Sequence, residues 1–335
     1  MSLRVEVVVE GLEAPWAIAF APDGRLFITE RPGRVRVLKE GRLVPEPWMA
    51  FEGLEGLGEG GLLGLALGPD FPRTGFAYLY HTYRAGGRLF NRLLRVREQD
   101  GKGVVGRVLL DRIPGAIIHD GGRLAVGPDG KLYVTTGDAA QPPLAQDLSS
   151  LAGKVLRLEL DGAVPADNPF PGSPVYSFGH RNPQGLAWHP DTGALYITEH
   201  GPVAHDEVNT LRPGGNYGWP AVIGLARDPR FLDPLVESGR ETWAPAGAAF
   251  VTQGPWRGSL LFTALRGHGL RLLRLSPDGA RALGIEEYLG EYGRLRDVAE
   301  GPDGALYVLT SNRDGRGFPR PGDDKLLRLI VQAAP

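Results

Sequence analysis

A short turn phrase recurs along the chain, and each copy leads into a run of β-forming residues. Pro22-Asp23-Gly24 precedes Leu26-Phe27-Ile28-Thr29, and Pro128-Asp129-Gly130 precedes Leu132-Tyr133-Val134-Thr135. Pro190-Asp191-Thr192-Gly193 precedes Leu195-Tyr196-Ile197-Thr198, and Pro302-Asp303-Gly304 precedes Leu306-Tyr307-Val308-Leu309. Pro69-Asp70 opens a looser copy before Ala77-Tyr78-Leu79-Tyr80, and Pro255-Trp256-Arg257-Gly258 a degenerate one before Leu260-Leu261-Phe262-Thr263. Proline fixes φ while Asp and Gly supply the turn, so each copy reads as a hairpin. The prolines fall at 22, 69, 128, 190, 255 and 302, with gaps of 47, 59, 62, 65 and 47 residues. A repeat of that period is the mark of a propeller. We therefore expect an all-β chain: a six-bladed β-propeller of four-stranded antiparallel blades, with long inserted loops, spanning 1–335 as a single domain. A β-sandwich that reuses one turn does not account for six copies spread over the whole length.

Composition agrees. Gly and Pro make up 78 of 335 residues, too many breakers for a helical protein and suited to many tight turns. One segment, Leu144 to Ala152, reads as a short helix. The strand Val5 to Val9 is expected to join Lys325-Leu326-Leu327-Arg328-Leu329-Ile330 and close the ring, which removes an open edge. The formal net charge of −2 gives no field that would draw nucleic acid or an anionic membrane. The chain has no cysteine, so disulfides and thiolate metal sites are excluded. Only five of its 37 basic residues are Lys, a composition that leans toward a thermophilic source. No apolar run is long enough for a transmembrane helix, and the first residues lack the apolar core of a signal peptide.

A propeller gathers loops from every blade around one channel, so functional residues should be scattered in sequence. His119, in His119-Asp120-Gly121-Gly122-Arg123, precedes one blade strand, and Asp138 ends the next. The two could pair, although a lone His is more often structural. Gly179-His180-Arg181-Asn182-Pro183-Gln184-Gly185 is richer in polar groups than a turn requires, or else a hydrogen-bonded loop. Glu199-His200-Gly201-Pro202, His205-Asp206-Glu207 and Gly214 to Trp219 offer carboxylates and backbone carbonyls, oxygen ligands that suit calcium. His200 and His205 would suit zinc, but no HExxH-type spacing accompanies them. Arg294 and Arg296 alternate on a strand and so share a side, where they would call for an anion if they do not face solvent. Arg266 could join them. Glu59, before a Gly-Gly turn, and Trp243, an aromatic in a loop, complete the set.

These motifs, in this order, resemble the soluble quinoprotein glucose/sorbosone dehydrogenases, and in particular their aldose sugar dehydrogenase branch. The likeness runs from Pro15-Trp16 to the last strand. It is most specific at Gly153-Lys154-Val155-Leu156-Arg157-Leu158, Asp167-Asn168-Pro169, Gly179 to Leu186 and Gly214 to Pro220. The resemblance implies pyrroloquinoline quinone and calcium as cofactors and an aldose as substrate, oxidised at C1 to the lactone. It implies that His119 is the general base, that Asp138 orients it, and that Arg181 and Asn182 flank the reactive quinone carbonyl. Arg266, Arg294 and Arg296 match the cations that hold the cofactor's three carboxylates. Gly201 and Pro202 match carbonyl donors to the active-site calcium, and Glu207 and Tyr217 match ligands of a further calcium. Glu59 and Trp243 match sugar contacts. The chain departs from the family at Arg266, where lysine is usual, at Glu59, where glutamine is usual, at Ile118, where the glucose-specific branch has Asp, and at Arg240, where a second aromatic is expected. The family also implies a periplasmic or extracellular location and leaves the electron acceptor unspecified. Two other readings compete: a calcium-dependent propeller lactonase or esterase, which has no use for three convergent arginines, and a propeller that only binds a partner.

Overall fold

In the computed structural model, which describes residues 2–54 and 57–332, the chain forms six antiparallel sheets arranged as a six-bladed β-propeller. Blade 1 holds strands Pro15–Phe20, Leu26–Glu30, Arg34–Lys39 and Arg42–Leu43, with the short Met49–Ala50 added beside the third. Blade 2 runs from Leu62–Leu67 to Lys102–Pro114, and blade 3 from Leu124–Val126 to Val175–Phe178. Blade 4 runs from Pro183–Trp188 to Val236–Glu237, and blade 5 from Pro245–Phe250 to Ala282–Tyr288. Blade 6 takes Leu295–Glu300, Leu306–Thr310 and Leu326–Gln332 from the C-terminal end and Ser2–Val9 from the N-terminal end. The first strand pairs antiparallel with the last, Val5 opposite Leu329, as the sequence reading expects.

The recurring turn joins the first and second strands of every blade: Pro22 lies between Phe20 and Leu26, Pro128 between Val126 and Leu132, Pro302 between Glu300 and Leu306. In an antiparallel meander, the loops that leave the second strand and those that pass to the next blade emerge at the opposite end. His119, Asp138, Arg181, Gly201, Arg266, Arg294 and Asp314 all belong to that opposite set of loops or to strand ends beside them. The repeated phrase that betrays the fold therefore marks one end of the ring, and the chemistry gathers at the other.

The blades pack through apolar side chains. Trp16, Phe27, Phe71, Tyr78 and Tyr80 are essentially inaccessible in one cluster across blades 1–3. The extra length is used in two ways. In blade 2 it lengthens the strands, to Arg88–Gln99 and Lys102–Pro114, where inserted loops were expected. In blades 3 and 4 it forms the loops after Thr136 and Thr210. The helix expected over 144–152 is absent. A 3₁₀ turn covers Pro142–Ala145 instead. The buried Lys154 ammonium donates to the carbonyls of Leu144, Ala145 and Ala152 at 2.8, 3.1 and 2.6 Å, and the first two are oxygens that a helix over 144–152 would use in its own ladder. No helix is long and apolar enough to cross a membrane among the described residues.

Deleting residues 2–9 leaves Leu326–Gln332 as an open edge. The truncated chain should melt at lower temperature and self-associate, and thermal unfolding with size-exclusion chromatography will show both effects if that strand closes the ring.

Candidate active site

The loops at the end opposite the turns surround a cavity of about 610 Å³. Among the residues predicted for the site, Glu59, His119, Arg181, Gly201, Pro202, Arg266, Arg294 and Arg296 line it.

His119 sits in the loop before blade 3 with a left-handed backbone, φ 63°. Such a conformation costs a residue with a Cβ about 1 kcal/mol or more and persists only where surrounding bonds impose it. Here Glu59 Oε2 accepts the His119 N–H at 3.2 Å, and the His119 carbonyl accepts Ala139 N–H at 3.2 Å. Gly137 must be glycine: a Cβ there would stand 1.8 Å from the His119 carbonyl. The close approach of the two loops brings His119 Nδ1 within 2.8 Å of Asp138 Oδ1. Asp138 is fully buried and also accepts Trp219 Nε1–H at 2.9 Å on its other oxygen. An ionised carboxylate only accepts, so Nδ1 carries the proton and Nε2 is the free, basic nitrogen.

A second imidazole lies near by. His200 is pushed down to about 3 by burial, with Arg296, Arg181 and His119 adding to the shift. It is therefore neutral, and its Nε2–H donates to the Pro245 carbonyl at 2.8 Å.

Arg181 donates to the Gly201 carbonyl at 2.8 Å and lies over the Trp219 ring, 5.4 Å from its centroid. Burial lowers its pKa, and its Nε has no partner among the described residues. Asn182 is fully buried behind the cavity wall. Its Oδ1 accepts Gly121 N–H at 3.0 Å, and its Nδ2 has no partner among the described residues.

Arg294, just before the strand Leu295–Glu300, and Arg296, at a register shift between Leu295 and Asp297, both line the cavity. The anion they call for is in part supplied by the chain: Asp314 Oδ2 accepts from Arg294 at 2.6 and 2.9 Å and stands 3.7 Å from Arg296. Burial works against ionisation of Asp314, but Arg296 and Arg294 outweigh it and hold its carboxyl below the usual range. Arg296 also donates to Gln184 Oε1 at 2.7 Å, while its Nε lacks a partner among the described residues. Burial pushes its guanidinium down to about 9. Arg266 is exposed at the cavity edge.

Sequence reasoning missed Asp314, Arg31 and Arg316. Their signal was the Arg-Asp-Gly-Arg-Gly run at 313–317, a charged loop between two strands, and an arginine directly after the strand Leu26–Glu30. Arg316 pairs with Glu59 at 2.9 Å. Asp206, one of the carboxylates expected to suit calcium, holds the turn at 201 instead: its Oδ1 accepts Gly201 N–H at 2.9 Å, and its Oδ2 accepts Trp243 and Ala244 N–H.

Trp243 does not reach the cavity. Its ring is buried against Phe262, 5.5 Å between centroids, in the cluster shared by blades 4 and 5, and Thr242 and Ala244 line the wall instead. An indole gains more from an apolar core than from an open channel.

Glu207 and Tyr217 lie together beside a smaller pocket that adjoins Gly201 and Pro202. Burial, with Glu199 adding, pushes Glu207 up to about 8. The Tyr217 hydroxyl is committed to the Thr210 carbonyl and Arg212 N–H, so the residue could offer an ion only its main-chain oxygen. Among the described residues, no group of three or more His, Asp or Glu side chains is arranged to hold a metal.

Residues 12–328 match the family model for glucose/sorbosone dehydrogenase. The chain is similar to the aldose sugar dehydrogenase of Escherichia coli K12, 34% identical over 94% of this chain and 91% of that protein. Among solved structures, an oxidoreductase of Thermus thermophilus, provisionally described as a glucose dehydrogenase, is 51% identical, with a TM-score of 0.92 over 98% of this chain and all of that one. The pyrroloquinoline quinone-bound form of aldose sugar dehydrogenase from Streptomyces coelicolor is 38% identical, with a TM-score of 0.88 over 98% of each chain.

One buried acid gives the site region a pH signature. Burial pushes Asp120, next to His119, up to about 7. The folded protein therefore keeps a proton that the unfolded chain gives up from about pH 4. That contribution to stability is complete below about pH 4 and is lost as pH rises towards 7. Asp120→Asn removes the penalty, so its melting temperature relative to the parent should climb between pH 5 and pH 8. A constant difference across that range contradicts the assignment.

Proposed function

The chain belongs to the glucose/sorbosone dehydrogenase family, and from that premise we propose that it oxidises an aldose at C1 to the lactone with pyrroloquinoline quinone and calcium held in the cavity. The observation that carries the reading is the His119–Asp138 couple at 2.8 Å on the wall of the same cavity as Arg266, Arg294 and Arg296.

The residues present fit both groups. The cofactor is a flat tricarboxylate, and buried guanidinium nitrogens of Arg181 and Arg296 at the cavity wall lack partners among the described residues. Arg266, Arg294 and Arg296 would hold the carboxylates, and Asn182 would support the loop of Arg181 from beneath. Carbonyl oxygens suit calcium, and the Gly201 oxygen keeps a second lone pair beside its bond from Arg181. Gly201 and Pro202 would hold that ion. Glu207, buried near Glu199, and the main-chain oxygen of Tyr217 would hold a further one. When bound, the quinone supplies a hydride acceptor and calcium a Lewis acid.

The chain's own task is to move one proton and fix charge. Asp138 holds the Nδ1 proton of His119 and leaves Nε2 to take the proton of the C1 hydroxyl. His200 is a poor base for that proton, because burial disfavours its protonated form. Arg181 sets fixed positive charge at the wall where negative charge develops, an arrangement typically worth about 10²–10³ in rate. Glu59, beside the His119 backbone and paired with Arg316, would face the sugar.

His119→Ala should retain quinone binding and lose about 10²–10⁴ of kcat. Titration of the apo variant with quinone, followed by aldose-dependent dye reduction, tests this. A near-normal kcat refutes the base assignment.

A further inference from the structure

A second imidazole–carboxylate pair lies buried between blades 3 and 4. Ser177 Oγ is 2.8 Å from His180 Nε2, and His180 Nδ1 is 2.9 Å from Glu199 Oε1. The order matches a nucleophilic triad. Access rules out that use: Ser177 and His180 are fully buried, and neither lines the cavity or the smaller pocket beside it.

What the pair touches is Arg181. Glu199 Oε2 accepts the Arg181 N–H at 2.9 Å. The Arg181 carbonyl accepts Asp138 N–H at 2.8 Å, and Asp138 Oδ1 lies 2.8 Å from His119 Nδ1. One peptide segment is thus clamped between two imidazole–carboxylate couples. The inner couple is itself held firmly: the His180 ring stacks on Tyr217 at 4.8 Å and 23°, and Asn209 Nδ2 donates to Glu199 Oε1 at 2.9 Å. Because the carboxylate only accepts, His180 Nδ1 carries the proton, and Nε2 accepts the Ser177 hydroxyl.

We propose that His180 is a positioning residue for the reaction: through Glu199 it fixes the Arg181 backbone, and through Arg181 and Asp138 it sets the aim of both the guanidinium and His119. The inference rests on the sugar-oxidising reading of the cavity. A misplacement of about 1 Å at such a site costs on the order of 10² in rate, so a residue that never touches substrate matters to turnover.

The parent protein is assayed first for quinone-dependent aldose oxidation; if the parent is inactive, the functional reading fails, whatever His180 does. With an active parent, His180→Phe keeps an aromatic ring against Tyr217 and removes the donor to Glu199. It should lower kcat about 10- to 100-fold, leave the aldose KM within about twofold, and weaken quinone binding to the apoprotein, read by tryptophan fluorescence titration. His180→Asn, which returns a donor near Nδ1, should recover most of the loss. Parent-like kcat and quinone affinity in folded His180→Phe overturn the proposal, as does an equal loss in both variants. If His180→Phe does not fold, Ser177→Ala decides: it leaves the His180–Glu199 bond but frees the ring, and a fall of a few-fold in kcat, restored by Ser177→Thr, is expected. An unchanged kcat in Ser177→Ala overturns it.

Discussion

Among the described residues, six guanidinium groups line one cavity, those of Arg31, Arg181, Arg266, Arg294, Arg296 and Arg316, against three carboxylates, Glu59, Asp206 and Asp314. Like charges drawn into a partly dry space are costly unless each is paired or hydrogen-bonded. The surrounding structure is organised around that cost. Asp314, with a side chain 2% exposed, sits between Arg294 and Arg296. Arg31 spends its hydrogens on the carbonyls of Gly58, Gly60 and Asp314. Glu59 meets Arg316 and at the same time holds the strained backbone of His119. Asp314 keeps Arg294 in place and Glu59 does the same for Arg316.

Below the cavity, the same logic seals the channel. Arg123 on blade 3 donates to Asp297 on blade 6 at 2.9 Å and to the Gln184 carbonyl on blade 4 at 2.8 Å, and lies 4.3 Å from the centre of the Trp16 ring on blade 1. Asp297 also accepts Ile18 N–H at 2.8 Å, and blade 5 meets it with Gly247, where any Cβ would clash. The innermost strands of blades 1, 3, 4, 5 and 6 thereby meet through polar contacts as well as by apolar packing.

The architecture was legible because its signals are local. Proline, Asp and Gly favour a turn, and six copies between first and second strands announce six blades, while a further Pro277-Asp278-Gly279 turns between the third and fourth strands of blade 5. The spacing of Arg294 and Arg296 pointed to a shared side, and both line the cavity, although Arg294 precedes the strand and the register shifts between Leu295 and Asp297. The His119–Asp138 couple was legible because one hairpin carries both ends. Asp314 was not, although one hairpin separates it from Arg294 in the same way, because in the charged run at 313–317 an aspartate between two arginines reads as paired with its own neighbours. Trp243 was misread for the reverse reason: a loop aromatic looks exposed in sequence, yet the ring turns into the core between blades 4 and 5. The loop at 144–152 was misread as a helix, and the bonds from the Lys154 ammonium to its carbonyls are contacts that the local sequence does not show.

By itself the sequence determined the number of blades, the closure of the ring by its two ends, and the residue types that could serve a quinone, a calcium ion and a sugar. These follow from turn chemistry, strand periodicity and a resemblance carried by contiguous motifs. Only the tertiary structure decided which charges neutralise one another, which imidazole keeps a free nitrogen at the cavity wall, and which is buried as a brace. Those outcomes depend on contacts of 2.8–2.9 Å between the two ends of one blade's first hairpin, as in His119–Asp138, His180–Glu199 and Arg294–Asp314, and on which neighbouring loops bury each pair, which the order of residues along the chain does not state.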